Sequence, residues 1–161
     1  MAPRRGIPGF SGLSGELTAT ESGGNLSIAS TNAQLDLKDV LRWPIPADKL
    51  DGHVSWKTGK GVTQVQVSDL AIANQHLSGK LSANYRYDGK KGGYLDLTGK
   101  FGNANGKYAA FYYPLILGKD TLDWLDSSII KAHGEDIDVV VKGYLDDFPY
   151  PDNKNGEFKV S

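Results

Sequence analysis

Two stretches decide the fold: Leu77-Ser78-Gly79-Lys80-Leu81-Ser82-Ala83-Asn84-Tyr85 and Leu95-Asp96-Leu97-Thr98-Gly99-Lys100-Phe101, joined through Asp88 to Gly93. Large apolar or small residues alternate with polar ones along both. Residues two apart share a face of a strand, so each arm has one apolar and one solvated side. That alternation marks antiparallel strands. Asp88-Gly89 and Gly92-Gly93 supply the turn chemistry that joins the arms as a hairpin.

Both arms also carry a glycine flanked at two residues by bulky apolar groups. The phrase recurs as Leu13-Gly15-Leu17, Leu50-Gly52-Val54, Leu77-Gly79-Leu81, Leu97-Gly99-Phe101 and Val141-Gly143-Leu145. A glycine inside a strand marks a bend, a bulge or a close approach by backbone or ligand. Repeated on the apolar phase, it predicts sheets curled around an apolar concave face, with side-chain bulk missing mid-strand.

The same period of two runs outward in both directions. Leu13, Leu17 and Ala19 alternate with polar neighbours, as do Leu26-Ile28, Leu35-Leu37, Val54-Trp56, Val65-Val67, Leu70-Ile72 and Ile137-Val139-Val141. Gly23-Gly24, Gly59-Lys60-Gly61, Asn105-Gly106 and Asn155-Gly156 punctuate them as turns. The period breaks at 120–131, where Leu122, Leu125 and Ile129 fall near helical spacing. Asp120 is placed to cap that helix and Lys131 to suit its last turn. A shorter turn is expected at Lys38 to Trp43, before Pro44 and Pro46. Residues 1–9 read as a disordered tail and 10–161 as a single β-rich segment. The expected fold is mainly β: a curled antiparallel sheet, an open groove or half-barrel of roughly ten strands, with one short α-helix near 120–131.

Composition removes several functions. The formal net charge of -1, from 18 basic and 19 acidic side chains, makes no electrostatic case for nucleic acid. With no cysteine, disulfides, thiol catalysis and Cys-based metal sites are excluded. No run approaches the roughly 18 to 20 apolar residues that span a bilayer. His53, His76 and His133 stand in no metal-ligand spacing and are expected at the solvent surface. Gly59-Lys60-Gly61 lacks the phosphate-loop spacing. The pairs Glu135-Asp136 and Asp146-Asp147 are adjacent, so in extended chain their side chains diverge rather than converge on a glycosidic bond. The sequence points to no enzyme and no cofactor.

What remains is an apolar phase. Its members, Leu17, Leu26, Ile28, Leu35, Val54, Trp56, Val65, Val67, Leu81, Ala83, Leu95, Leu97, Phe101, Ile137, Val139 and Val141, are the candidate lining of a lipid groove. Moving a sixteen-carbon tail from a bilayer into water costs on the order of 12 kcal/mol. A continuous aliphatic strip would return that energy without specific contacts.

Three longer phrases add a resemblance. Leu41-Arg42-Trp43-Pro44-Ile45-Pro46 leads into Leu50-Asp51-Gly52-His53-Val54-Ser55-Trp56, and Val67-Ser68-Asp69-Leu70-Ala71-Ile72-Ala73-Asn74 into Leu77-Ser78-Gly79-Lys80-Leu81. Tyr112-Tyr113-Pro114 and Leu122-Asp123-Trp124-Leu125 then precede Val141-Lys142-Gly143-Tyr144-Leu145, Phe148-Pro149-Tyr150 and Gly156-Glu157-Phe158. Together these cover most of residues 11–160. In this order they resemble the YhdP branch of the AsmA-like (bridge-like lipid transport) proteins of Gram-negative bacteria.

The resemblance implies an internal segment of a long periplasmic protein with an inner-membrane anchor outside this stretch. It implies phospholipid acyl chains as cargo, moved between inner and outer membranes, and neighbouring segments of the same chain as partners. Ten strands at about 4.8 Å span roughly 45 Å, little more than a ~30 Å hydrocarbon core, so this piece could not bridge two membranes alone. Two alternatives stay open. One is a structural or assembly module that pairs through exposed edge strands, with edge-to-edge self-association in isolation. The other is a carbohydrate-binding β domain using the aromatics of the C-terminal half.

Overall fold

The structure is a computed structural model that describes residues 9–38, 41–113, 115, 118–120, 122–123, 126, 133–134, 136–148, 150 and 154–161. Its strands are β1 Gly9–Ser11, β2 Gly15–Thr20, β3 Gly23–Asp36, β4 Ile45–Gly59, β5 Val62–Ala73, β6 Ser78–Tyr87 and β7 Tyr94–Gly102. Then come β8 Ala104–Asn105, β9 His133–Gly134, β10 Ile137–Tyr144 and β11 Gly156–Val160. β8 and β9 pair only with each other, and the rest form one nine-stranded sheet. Its order is β1-β3-β4-β5-β6-β7-β10-β11, with β2 also on β3. Each pairing is antiparallel, and the first and last strands do not meet. The mainly β, open antiparallel sheet read from the sequence is the fold.

β1 and β2 lie end to end along β3. Gly12 makes the break between them at φ 66, a region glycine enters without the Cβ penalty. The buried Ser30 hydroxyl closes the gap: it accepts from the Ser14 N–H at 2.7 Å and donates to the Ser14 carbonyl at 3.0 Å.

Alternation in the sequence changes phase within β3, β4 and β5, from Ile28 to Leu35, Ala47 to Leu50 and Val67 to Leu70. In β5 the cause is a bulge: register shifts between Val67 and Leu70, where Asp69 has φ 48. An extra residue turns the following side chains back to the original face. In β3, Asn32 at φ 56 stands between buried Ser30 and buried Ala33. β4 changes phase at the same level, between buried Ala47 and buried Leu50, with the same β3–β4 register on either side. One apolar face therefore continues through residues of both parities.

A compact core occupies one end of that face. Ala33, Leu41, Ile45, Ala47, Leu50 and Ile72 are buried together, with Leu13, Leu37, Leu77 and Tyr112 packed around them. The segment after β3 turns back through a Leu41 N–H to Leu37 carbonyl bond, at the place of the expected short turn. A 3-10 helix, Gly106–Tyr112, comes from the β7–β10 crossover and is capped by the Asn105 side chain on the Lys107 N–H. Further along that crossover Lys119, Asp120, Leu122, Asp123 and Asp126 are helical. The rest of the expected 120–131 helix lies outside the described residues, as does the tail expectation for residues 1–8. Gly9 already pairs with Asp36.

Candidate functional site: the apolar face

Register assembles the apolar phases into rows that cross the sheet. One row runs Leu17, Leu26, Val54, Val67, Ala83, Leu97, Val141, Phe158, each directly opposite the next, from β2 to β11. Directly opposed residues share a face and touch through their side chains. One level along the strands, Trp56, Val65, Tyr85 and Leu95 form a second row that ends on Gly143 and Gly156. On the other side Leu70, Leu81, Gly99, Val139 and Val160 form a third. Beyond it lie Leu50, Ile72, Gly79, Phe101 and Ile137.

All the candidate lining residues thus share one face, though their surroundings differ. Leu35 pairs with Ile45 and, like Ile28 and Phe101, packs against the buried core. Ala83 is 8% exposed, whereas Leu17 on edge strand β2 is 64% exposed. The others of the central rows, Leu26, Val54, Trp56, Val65, Val67, Leu81, Leu95, Leu97, Ile137, Val139 and Val141, are half-buried. Half-burial is what a sheet face contributes when a second layer does not cover it fully. Tyr85, Phe158 and Val160 complete the rows, beyond the residues that the sequence singled out. Their alternation with Arg86, Glu157 and Lys159 is the signal that could have found them.

The repeated glycines have a different use from the one expected. Four of the five do not stand as empty notches, because side chains lie across Gly52, Gly79, Gly99 and Gly143, while the Ser27 backbone crowds Gly15. A Cβ on Gly99 would fall 2.6 Å from the Phe101 ring, and one on Gly143 2.6 Å from the Tyr150 ring. On Gly52 it would meet Leu70 at 2.8 Å, and on Gly24, outside the repeated phrase, it would meet the Trp56 ring. Glycine here leaves room for a ring to approach the backbone where a Cβ would otherwise stand. Tyr150, Phe148 and Phe158 pack edge-to-face or tilted at 5.5 and 5.1 Å over the β10–β11 corner.

The core end is closed by aromatic groups around His76. Its ring stacks on Tyr108 with centroids 4.1 Å apart and meets Phe111 at 4.9 Å. The Asn74 side chain accepts from the His76 and Leu77 N–H groups and donates to the Pro46 carbonyl and the Tyr112 hydroxyl. His76 is 3% exposed, against the expectation of a solvent-facing ring. Residue spacing carries no trace of the crossover that covers it. His53 is exposed, and the His133 side chain lies outside the described residues.

Burial pushes the His76 pKa below 6.5, and the Asp48 charge opposes this only in part. The unfolded chain therefore takes up a proton near pH 6.5 that the folded ring resists. His76 favours the folded state above that pH and loses this contribution as pH falls through the lowered value. The melting temperature is expected to fall between pH 7 and pH 5, and His76→Gln to flatten that slope in thermal melts across the range.

Among the described residues no group of His, Cys, Asp and Glu is placed to hold a metal, and no helix is long and apolar enough to cross a membrane.

No solved structure matches the chain. A protein of Escherichia coli (strain K12) described as the intermembrane phospholipid transporter YhdP is 23% identical over 155 residues, 96% of this chain. The chain spans 12% of that relative's length. The sequence profile described as YhdP protein matches residues 1–161, and the chain belongs to the YhdP family.

Proposed function

We propose that this chain is one segment of a periplasmic apolar path along which phospholipid acyl chains pass between the inner and outer membranes, in a longer protein anchored in the inner membrane. The unbroken apolar row from Leu17 to Phe158 carries the reading. It crosses the sheet over seven inter-strand spacings, about 34 Å. No polar side chain interrupts it, so an acyl chain sliding along it exchanges like surface for like. A path must avoid both water and deep traps. Half-buried aliphatic side chains meet both needs, and a relative described as a phospholipid transporter supports the cargo.

The sheet edges fit the same role. β1 and β2 line one edge and β11 the other, and unpaired edge strands are templates for further strands. Neighbouring segments of the longer chain would extend the apolar row by pairing there. In isolation the same edges would drive self-association.

Native mass spectrometry of the purified full chain tests the cargo. The expected result is co-purified phospholipid that resists dilution. A lipid-free spectrum, with the chain folded and self-associated, would instead favour an assembly module.

A further inference from the structure

The opposite face of the same sheet carries a second surface. At the end bounded by the Glu21-Ser22 and Lys60-Gly61 turns, a hollow of about 900 Å³ lies on the polar side of β2 to β6. We propose that this hollow binds an acidic glycan. Of the groove-lining candidates Trp56 alone also borders the hollow; the rest of the lipid path runs on the other face.

Its charge is one-sided. Lys57, Lys60 and Arg86 line it, and no carboxylate does, although the whole chain carries a net charge of -1. Arg86 is held by an exposed pair with Asp88 at 3.6 Å, while Lys57 and Lys60 have no ion pair among the described residues. Local positive charge against a neutral background selects an anionic ligand.

Between the cations lie uncharged hydrogen-bonding groups. Asn25 is opposite Ser55, Ser55 opposite Gln66, and Gln64 stands between Lys57 and Arg86. Among the described residues the side chains of Asn25, Gln64 and Gln66 bond to no other protein group, and all three are exposed. A planar amide donates and accepts at once, which suits the vicinal hydroxyls of a sugar better than it suits a bare anion. Strands about 4.8 Å apart repeat such groups at about the length of one pyranose ring.

An aromatic platform continues the same row. Arg86 is directly opposite Tyr94, and Tyr94 opposite Tyr144. Tyr94 is 41% exposed and meets Tyr144 edge-to-face at 5.4 Å. An exposed tyrosine offers an apolar face for the C–H side of a sugar and a hydroxyl for its rim. The apolar side chains lining the hollow are Trp56 and Val62, both half-buried, so it lacks the cluster of apolar anchors that a protein partner would use.

The test uses the full chain with isotope-labelled side-chain amides. It is titrated with a panel of acidic oligosaccharides (oligogalacturonate and a phosphorylated oligosaccharide), the neutral methyl ester of the first, inorganic phosphate, and phosphatidylglycerol vesicles. Acidic oligosaccharides should shift the Asn25, Gln64 and Gln66 amide resonances. The neutral ester should bind at least fivefold more weakly, and phosphate should not compete at equal concentration. Lys57→Gln and the double variant Gln64→Ala/Gln66→Ala should each weaken binding about tenfold, with unchanged thermal melts. No shift with any acidic oligosaccharide overturns the proposal. So does binding that phosphate or vesicles reproduce, or binding indifferent to Gln64→Ala/Gln66→Ala, since either reports charge alone.

Discussion

Leu97→Asp is expected to remove bound phospholipid from the protein while the sheet stays folded. Leu97 sits mid-row, between Ala83 on β6 and Val141 on β10, and is half-buried. In the free protein a carboxylate there keeps contact with water, so the fold tolerates it. An acyl chain laid over the row would strip that water, and burying an unpaired charge costs several kcal/mol. A cost of about 3 kcal/mol corresponds to roughly a hundredfold loss of lipid occupancy. Thr98→Asp is the control, because Thr98 is exposed and alternation puts it on the opposite face. It should leave lipid content unchanged, as measured by mass spectrometry of lipid per protein. Equal loss in both variants would mean that charge acts on the whole sheet and not on a path.

Leu50→Ala should be the most damaging truncation for stability. Leu50 is 1% exposed and sits among Ala33, Ile45, Ala47 and Ile72 in the buried core at one end of the sheet. Removing three methyl or methylene-sized groups from such a site costs about 3 kcal/mol, because transfer energy is lost and a cavity remains. For a chain of this size that lowers the melting temperature by roughly 6–12 °C. Leu17→Ala, at an exposed edge position, should change stability by about 0.5 kcal/mol or less. Calorimetry of the two variants distinguishes a molecule with one sealed core and a half-covered face from one buried evenly throughout. Comparable losses would indicate the second.

The strands are legible because their signal is local. Leu81-Ser82-Ala83 and Leu95-Asp96-Leu97 alternate whatever surrounds them, and the glycine turns fix which arms pair. The resemblance carried by ordered phrases, such as Leu50-Asp51-Gly52-His53-Val54, agrees with the family profile, which covers the chain. The continuity of the face across mismatched parities is harder to see. Ile28 and Leu35, seven residues apart, cannot share a face in a regular strand, and neither can Val67 and Leu70. Only the left-handed Asn32 and the Asp69 bulge bring each pair to the same side.

The glycines do mark sites of close approach, and the guests are groups of the same chain. Sequence shows a missing side chain and not what fills the space. Here Trp56, Phe101 and Tyr150 fill it, from across a strand pair or along a loop. His76 escapes sequence reading for a related reason. Its burial depends on Tyr108 and Phe111, which reach it from a long crossover whose spacing does not say where it packs.

Site-specific photocrosslinking in the full-length protein tests the lipid path most directly. A crosslinker at Leu81 and at Val139 would sit in the row that runs Leu81, Gly99, Val139. Crosslinkers at Ser82 and Val140, which align through Thr98 on the other side of the sheet, are the controls. The account predicts phospholipid adducts from Leu81 and Val139 and none from Ser82 or Val140. Adducts from both faces alike, or from neither, would contradict it.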